Sequence, residues 1–307
     1  MTTPAIASDR PLFGALMIIS GMIMIGIIDN CVRIIAGHVG LWQFHFIRSC
    51  LAIPMILMVA TVSGWRWWPH RMSGAMIRSA FIVTSMLLYF GSLPMAPIAQ
   101  VAAGLLTAPI WVLLISATVF RAPIGPRRIV AVGVGFLGAL LILRPWTEAF
   151  SLWSLIPLAA GAAYAGASIS TRRLCADEPP MALILLFFTG LGIAGAIGMA
   201  VLAIWPQPEL TMAAPFFFEG VRWPIPGEGW FWITVQAAGS ILCVYCVTRG
   251  YQSAETSSLA LFDFTFLISA SLTGWLVWGD TVDAMTALGG ALIIGAGAFI
   301  ALRGARD

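Results

Sequence analysis

The feature that most constrains this chain is the recurrence of long apolar runs, at residues 12–36, 42–63, 75–93, 97–118, 128–143, 153–171, 181–205, 230–250, 257–278 and 284–302. A helix needs about 20 apolar residues to cross a bilayer core, with a tolerance of roughly 17–25. The ten runs lie near that length; the fifth is the shortest, and prolines divide the third from the fourth. Lipid offers backbone N–H and C=O groups no water, so such segments must close their own hydrogen bonds as helices. Their apolar character is continuous rather than alternating, which excludes a barrel. Only 9% of the residues are charged, against about a quarter in soluble domains. The expected fold class is all-α integral membrane, with ten transmembrane helices.

All 16 basic residues are arginine. Arg10, Arg66, Arg71, Arg78, Arg121, Arg127, Arg128, Arg172, Arg173, Arg249, Arg303 and Arg306 fall on one side of the expected membrane, and only Arg144 and Arg222 on the other. The excess marks the cytoplasmic side, which puts the N- and C-termini in the cytoplasm of a multi-pass cell (inner) membrane protein. The net charge of +3 forms no continuous basic stripe, so no nucleic-acid partner is expected. Cysteines 31, 50, 175, 243 and 246 lie in or beside apolar runs, and so do not read as a disulfide framework. The first run is too long for a signal-peptide core and reads as a span. The long segment "PQPELTMAAPFFFEGVRWPIPGEG" (206–229) reads as a wide connector near the membrane surface.

The two halves resemble each other in order and spacing. "SLPMAPIAQ" joins spans three and four, and "GYQSAETSS" joins spans eight and nine. A small-residue helix follows each link, then "TVFRAP" or "VWGDTV", then a glycine-rich helix. Five spans per copy is an odd number, so the second copy, 146–307, must be inverted relative to the first, 1–145. Inverted repeats with a site between them are a transporter architecture.

Four motifs carry a family resemblance: "DNCVR" closing span one, "FHFIRSCLAIP" opening span two, "YFGSLPMAPIAQVAAGLLTAPIWVLL", and "AETSSLALFDFTFLISASLTGWLVWGD". In that order they resemble the EamA branch of the drug/metabolite transporter (DMT) superfamily over nearly the whole chain. The resemblance implies a ten-helix secondary transporter whose cavity is surrounded by helices one, three, four, six, eight and nine. One departure stands out: the family's Gly-Glu ending of helix four reads "FRAPIG" here, while Asp280 keeps an acid in the second half. Asp280 is expected to cap a helix at the membrane surface.

Ionisable groups inside spans are costly, and each is a functional candidate by default. Asp29 and Arg33 are four residues apart and share a helix face on which they can pair. Arg48 of the returning helix reaches a similar depth, with His45 nearer the surface, so Asp29, Asn30, Arg33, His45 and Arg48 form an expected outer cluster. One acid with two cations can receive a substrate anion, or lock helix one to helix two. Alternatively Arg33 reaches the interface and leaves Asp29 to Arg48. Asp263, early in span nine, reads as a protonatable carboxylate or an amine contact, with a structural pairing to Arg249 as the rival reading. Tyr89, Gln100, Trp111, Tyr164, Ser168, Gln236, Tyr245 and Gln252 are candidates to line the cavity, although each residue type serves more often in packing.

Two motifs imitate chemistry. "GVGFLG" (133–138) has nucleotide-loop spacing but lies inside a span, where small residues serve helix packing. "CVYC" (243–246) lacks the further ligands a metal needs. No metal, no cofactor and no enzymatic activity are therefore expected. The expected partners are the lipid bilayer, a small-molecule substrate and protons; the glycine-rich last helix permits a homodimer without requiring one. The expected function is secondary transport of a small organic metabolite by alternating access, with proton coupling through Asp29 or Asp263. The mixed charges suit an amino acid, and the motifs look most like members handling riboflavin or S-adenosylmethionine. An integral membrane enzyme or a non-transporting scaffold or sensor is the alternative.

Overall fold

The computed structural model describes residues 10–93, 98–121, 126–144, 152–205, 215–253, 259 and 262–304. Among these residues every regular element is helical. The order is α1 (Pro11–Asp29), α2 (Val32–Ala36), α3 (Leu41–Val62), α4 (Met72–Ser92), α5 (Ile98–Leu105), α6 (Ala108–Thr118) and α7 (Pro126–Leu143). It continues with α8 (Ile156–Leu174), α9 (Pro180–Ile204), α10 (Pro215–Phe218), α11 (Gly227–Ser253), α12 (Thr265–Trp278) and α13 (Ala284–Gly304).

Six stretches are long and apolar enough to cross a membrane: Leu12–Ala36, Leu41–Val62, Met72–Ser92, Val101–Thr118, Pro180–Ile204 and Gly227–Ser253. Ile129–Ile142, Thr265–Trp278 and Ala284–Ala296 are apolar but shorter. The run at 153–171 becomes α8, whose Ala-, Gly- and Ser-rich sequence is less apolar than its neighbours. The burial pattern is that of a protein solvated by hydrocarbon. Leu137, Ile193, Ile197, Ile268 and Leu276 stand exposed, whereas Asp29, Arg48, Arg78 and Asp263 are buried. Water would favour the reverse, and a bilayer favours this one.

Two helix interruptions set the geometry of the interior. α1 ends at Asp29 because the Asn30 side chain takes over backbone bonding: its Nδ2 donates to Gly26 O at 2.8 Å and to Ala270 O at 3.2 Å. Such local side-chain bonds compete with the helix ladder. α5 stops at Leu105 and α6 restarts with Pro109 in its first turn. Proline has no N–H for the preceding turn, and Thr107 Oγ1 donates to Gly104 O at 2.7 Å. On the other side of the fold, a 3₁₀ turn at Phe262–Phe264 precedes α12.

Glycines permit the closest helix approaches. α7 and α13 meet at Gly138 and Gly289, where a Cβ on either would stand 2.6 Å from the other's carbonyl oxygen. In the "GVGFLG" run, Gly135 packs near Ile110 and Ala296, while Gly133 faces open space. The described part of the 206–229 segment is no loose connector. Phe216 is buried, the Trp42 indole donates to Phe217 O at 2.7 Å, and Gln43 exchanges two 2.9 Å bonds with the Arg222 backbone. Residues 215–222 are thereby docked onto the start of α3, because apolar and amide groups on both sides satisfy one another.

Candidate functional site

Asp29 sits at the end of α1, where the chain breaks. Its Oδ1 accepts a hydrogen bond from Gln236 Nε2 of α11 at 2.9 Å, and Ser240 donates in turn to Gln236 Oε1. Tyr89 of α4 and Arg48 of α3 lie close enough to act on the carboxylate electrostatically, without forming a contact ion pair among the described residues. Arg48 is itself enclosed by aromatic faces. Its Cζ lies 4.9 Å from the ring centres of Phe44 and Phe90 and 5.6 Å from that of Phe188, and its Nη2 is 3.2 Å from His45 Nδ1. The rings supply cation–π attraction where water is absent.

Asp263 lies in the 3₁₀ turn before α12. Tyr251 of α11 donates its hydroxyl to Oδ2, and Oδ1 has no partner among the described residues. Tyr164 of α8 stands beside Tyr251, ring centres 6.5 Å apart. Arg78 of α4 completes the set. Its Nε donates to Thr171 Oγ1 at 3.3 Å, its Nη1 to Leu183 O at 3.1 Å, and its Nη2 to Thr248 Oγ1 at 2.9 Å.

These groups border one internal cavity. Asp29, Arg78, Tyr89, Tyr164, Thr248 and Asp263 share its wall with Met22, Ile25, Ile82, Met86, Leu105, Leu106, Phe187, Val244, Val247 and Phe266. The wall is mostly apolar with a few polar groups, as in small-molecule sites. The room for water-sized occupants is about 80 Å³, whereas an organic ligand needs about 300–1,000 Å³. The cavity is narrow in this structure and must widen several-fold to take a metabolite.

Polar contacts close both ends of the bundle. Beyond α2, Arg33 pairs with Asp280 at 2.6 Å, Arg144 pairs with Asp283, and Arg222 Nη1 donates to Gly37 O at 3.2 Å. The Thr286 backbone N–H, together with its hydroxyl and Arg144, holds the Asp283 carboxyl below its ordinary value. Toward the N-terminus of α1, buried Glu178 accepts the His70 and Arg71 backbone N–H groups at 2.6 and 2.7 Å. Gln252 Nε2 donates to Cys175 O and Glu178 O at 2.8 Å each.

The model of the EamA-like transporter family matches residues 12–144. A riboflavin transporter of Vibrio cholerae is 27% identical, covering 95% of this chain and 93% of its own. A riboflavin transporter of Brucella anthropi is 29% identical, covering 73% of this chain and 74% of its own. The first half of the chain thus matches the EamA-like transporter family. A solved crystal structure of a 16% identical protein superposes with a TM-score of 0.65, over 94% of this chain and 98% of the other, so the two chains share that fold. The drug/metabolite transporter resemblance read from four motifs thus agrees with the family match, and its function class is small-molecule transport in a membrane.

Within this EamA-like bundle the residues singled out from sequence separate into groups. Asp29, Asp263, Tyr89 and Tyr164 reach the cavity wall. Gln236 holds Asp29 from behind, Arg48 and His45 stand outside the wall in the aromatic cage, and Ser168 is spent on the Tyr164 carbonyl. Several placements differ from the sequence expectation. Arg33 bonds Asp280 rather than Asp29, because the break after Asp29 ends the helix face the two would share. Asp280 is accordingly an ion-pair partner and not a simple cap. Tyr245 stacks on Trp65 at 5.7 Å, and Trp111 bonds Thr107, both away from the cavity. Gln252 ties the loop at 175–178. Asp263 accepts from Tyr251, and the rival pairing with Arg249 is not among the ion pairs of the described residues. The Gln100 side chain, most of "FRAPIG" and the whole of the "AETSS" link lie outside the described residues.

Sequence reasoning missed Arg78 by counting it with the cytoplasmic loop. Its signal was present: it lies inside the apolar run 75–93, six residues into α4, or about 9 Å along the helix. The cavity wall therefore holds two acids and one cation, where sequence suggested one acid and two cations.

Proposed function

We propose that the chain is a ten-span secondary transporter. It moves a small organic metabolite, of the size of an amino acid, riboflavin or S-adenosylmethionine, by alternating access between inverted halves 1–145 and 146–307. The matched helix partners support the inverted repeat. Contacts α4–α8 and α1–α11 are equivalent under exchange of the halves, as are α5–α8 with α1–α12 and α4–α9 with α11–α3. The pairs α3–α9 and α7–α13 map onto themselves.

The observation that carries this reading is the narrow cavity between the halves, walled by Asp29 from the first half and Asp263 from the second. Its gates in this reading are Arg33–Asp280 at one end and Glu178 with the 70–71 backbone at the other, each joining first half to second. Opening one set while the other holds would expose the cavity to one side at a time. Asp29 and Asp263 carry the coupling proton, since neither carboxylate is ion-paired among the described residues and each has a neutral donor to hold it. The riboflavin transporter names of the relatives suggest a flavin-sized solute, and the arginine distribution supports a cytoplasmic side for both termini.

The test is flux into liposomes holding the purified chain, with and without a pH gradient. Wild type should accumulate labelled riboflavin or amino acid faster under the gradient, and Asp29→Asn or Asp263→Asn should abolish the stimulation while remaining folded. Flux indifferent to the gradient in all three would remove proton coupling, and variants altered only in stability would favour a scaffold.

A further inference from the structure

We infer that Arg78 is an oxyanion subsite of the cavity, so that the transported solute bears a carboxylate or a phosphate. This rests on the transporter reading and names the solute class for the same site. Arg78 is a buried cation whose partners in the structure are all neutral: two hydroxyls and one carbonyl, from α8, α9 and α11. A buried guanidinium is ordinarily paired with a carboxylate. No carboxylate among the described residues forms an ion pair with Arg78, although the cavity wall includes Asp29 and Asp263.

The donor count points the same way. A guanidinium carries five N–H donors, and the three bonds to Thr171, Leu183 and Thr248 use one on each nitrogen. One N–H on each terminal nitrogen is left without a partner among the described residues, and guanidinium donors of this kind bind oxyanions strongly. Threonine hydroxyls are good provisional partners, because they can rotate away and bond elsewhere. Arg78 thus holds α4 of the first half against three second-half helices until an anion competes for it. The remainder of the wall, with Met22, Met86 and Phe266, suits an apolar or aromatic body attached to that anion.

The experiment is equilibrium binding to the full chain in nanodiscs, using two matched probe pairs that differ by one oxyanion. Tryptophan against tryptamine tests the carboxylate, and flavin mononucleotide against riboflavin tests the phosphate. In at least one pair the anionic member should bind at least about 10-fold tighter, the scale of a charge-assisted bond. Arg78→Gln should erase that preference and Arg78→Lys should retain part of it. Should Arg78→Gln fail to fold, Thr248→Val decides: freeing Nη2 should tighten the anionic member by about 3-fold or more, the scale of a lost neutral competitor. The inference is overturned if neither pair shows a preference, if the preference survives Arg78→Gln, or if Thr248→Val weakens the anionic member. The readout is binding, so failed flux with intact anion preference would count against transport and leave the subsite standing.

Discussion

Removing the charge of Asp280 tests whether the Arg33 end of the bundle is a closed gate. The Arg33–Asp280 pair is two-pronged, at 3.0 and 2.6 Å, with side chains 28% and 29% exposed. A fully exposed pair contributes roughly 0–1 kcal/mol, while removing one partner of a buried pair costs about 3–5 kcal/mol. At this intermediate exposure, Asp280→Asn should cost about 1–2 kcal/mol, interpolating between those limits. Arg33 also lies 5.7 Å from the Trp278 ring centre, so Arg33→Gln should lose about 0.5–1 kcal/mol more. The pair joins α2 to the segment after α12, so its loss falls on the closed arrangement. A deficit of this size multiplies the open fraction by about 5–30. Cys31, half-buried and two residues from Arg33, reports the opening. With Cys50 changed to Ser, Cys31 should react with a membrane-impermeant maleimide about 5–30 times faster in Asp280→Asn than in its parent. An Asp280→Asn rate within about twofold of the parent, or additive effects in the double variant, would refute the gate.

The α7–α13 contact predicts opposite outcomes for two glycines in helices. Gly289→Ala puts a methyl 2.6 Å from Gly138 O and should cost about 1–3 kcal/mol, whereas Gly133→Ala meets nothing within 4 Å and should be neutral or stabilising; thermal unfolding in one detergent compares them. Asp283 caps α13, accepting the Met285 and Thr286 N–H groups at 3.0 and 3.1 Å, so Asp283→Ala should cost about 1 kcal/mol at neutral pH. Its native carboxyl titrates below its unfolded value, chiefly through the Thr286 backbone bond. The contribution is therefore full above about pH 4, the ordinary carboxylate range, and disappears as pH falls through the lowered native value. A wild-type advantage over Asp283→Ala that grows toward acid would contradict this.

Much of the site was legible because of a simple physical cost. A charge inside an apolar run requires an explanation in lipid, and that rule alone picked out Asp29, Arg48 and Asp263, all buried here. It also applied to Arg78, but the topology count claimed that residue for a loop. Spacing failed at Arg33, because pairing four residues apart assumes an unbroken helix. Asn30 breaks it through a bond to Ala270, a partner 240 residues away that no local pattern can supply.

By itself the sequence determined the solvent, and hence the class of fold. Continuous apolar runs with few charges exclude water as the surrounding medium and require helices, since every backbone group must be satisfied within its own segment. It also carried the family, through motifs in fixed order. The tertiary structure decided which charges meet. Arg33 found Asp280, Asp263 found Tyr251, and Arg78 found, among the described residues, neutral partners across three helices. Those pairings depend on how helices far apart in sequence pack and where they break. A hydrophobicity pattern records which residues avoid water, but not which buried polar groups stand within bonding distance of one another.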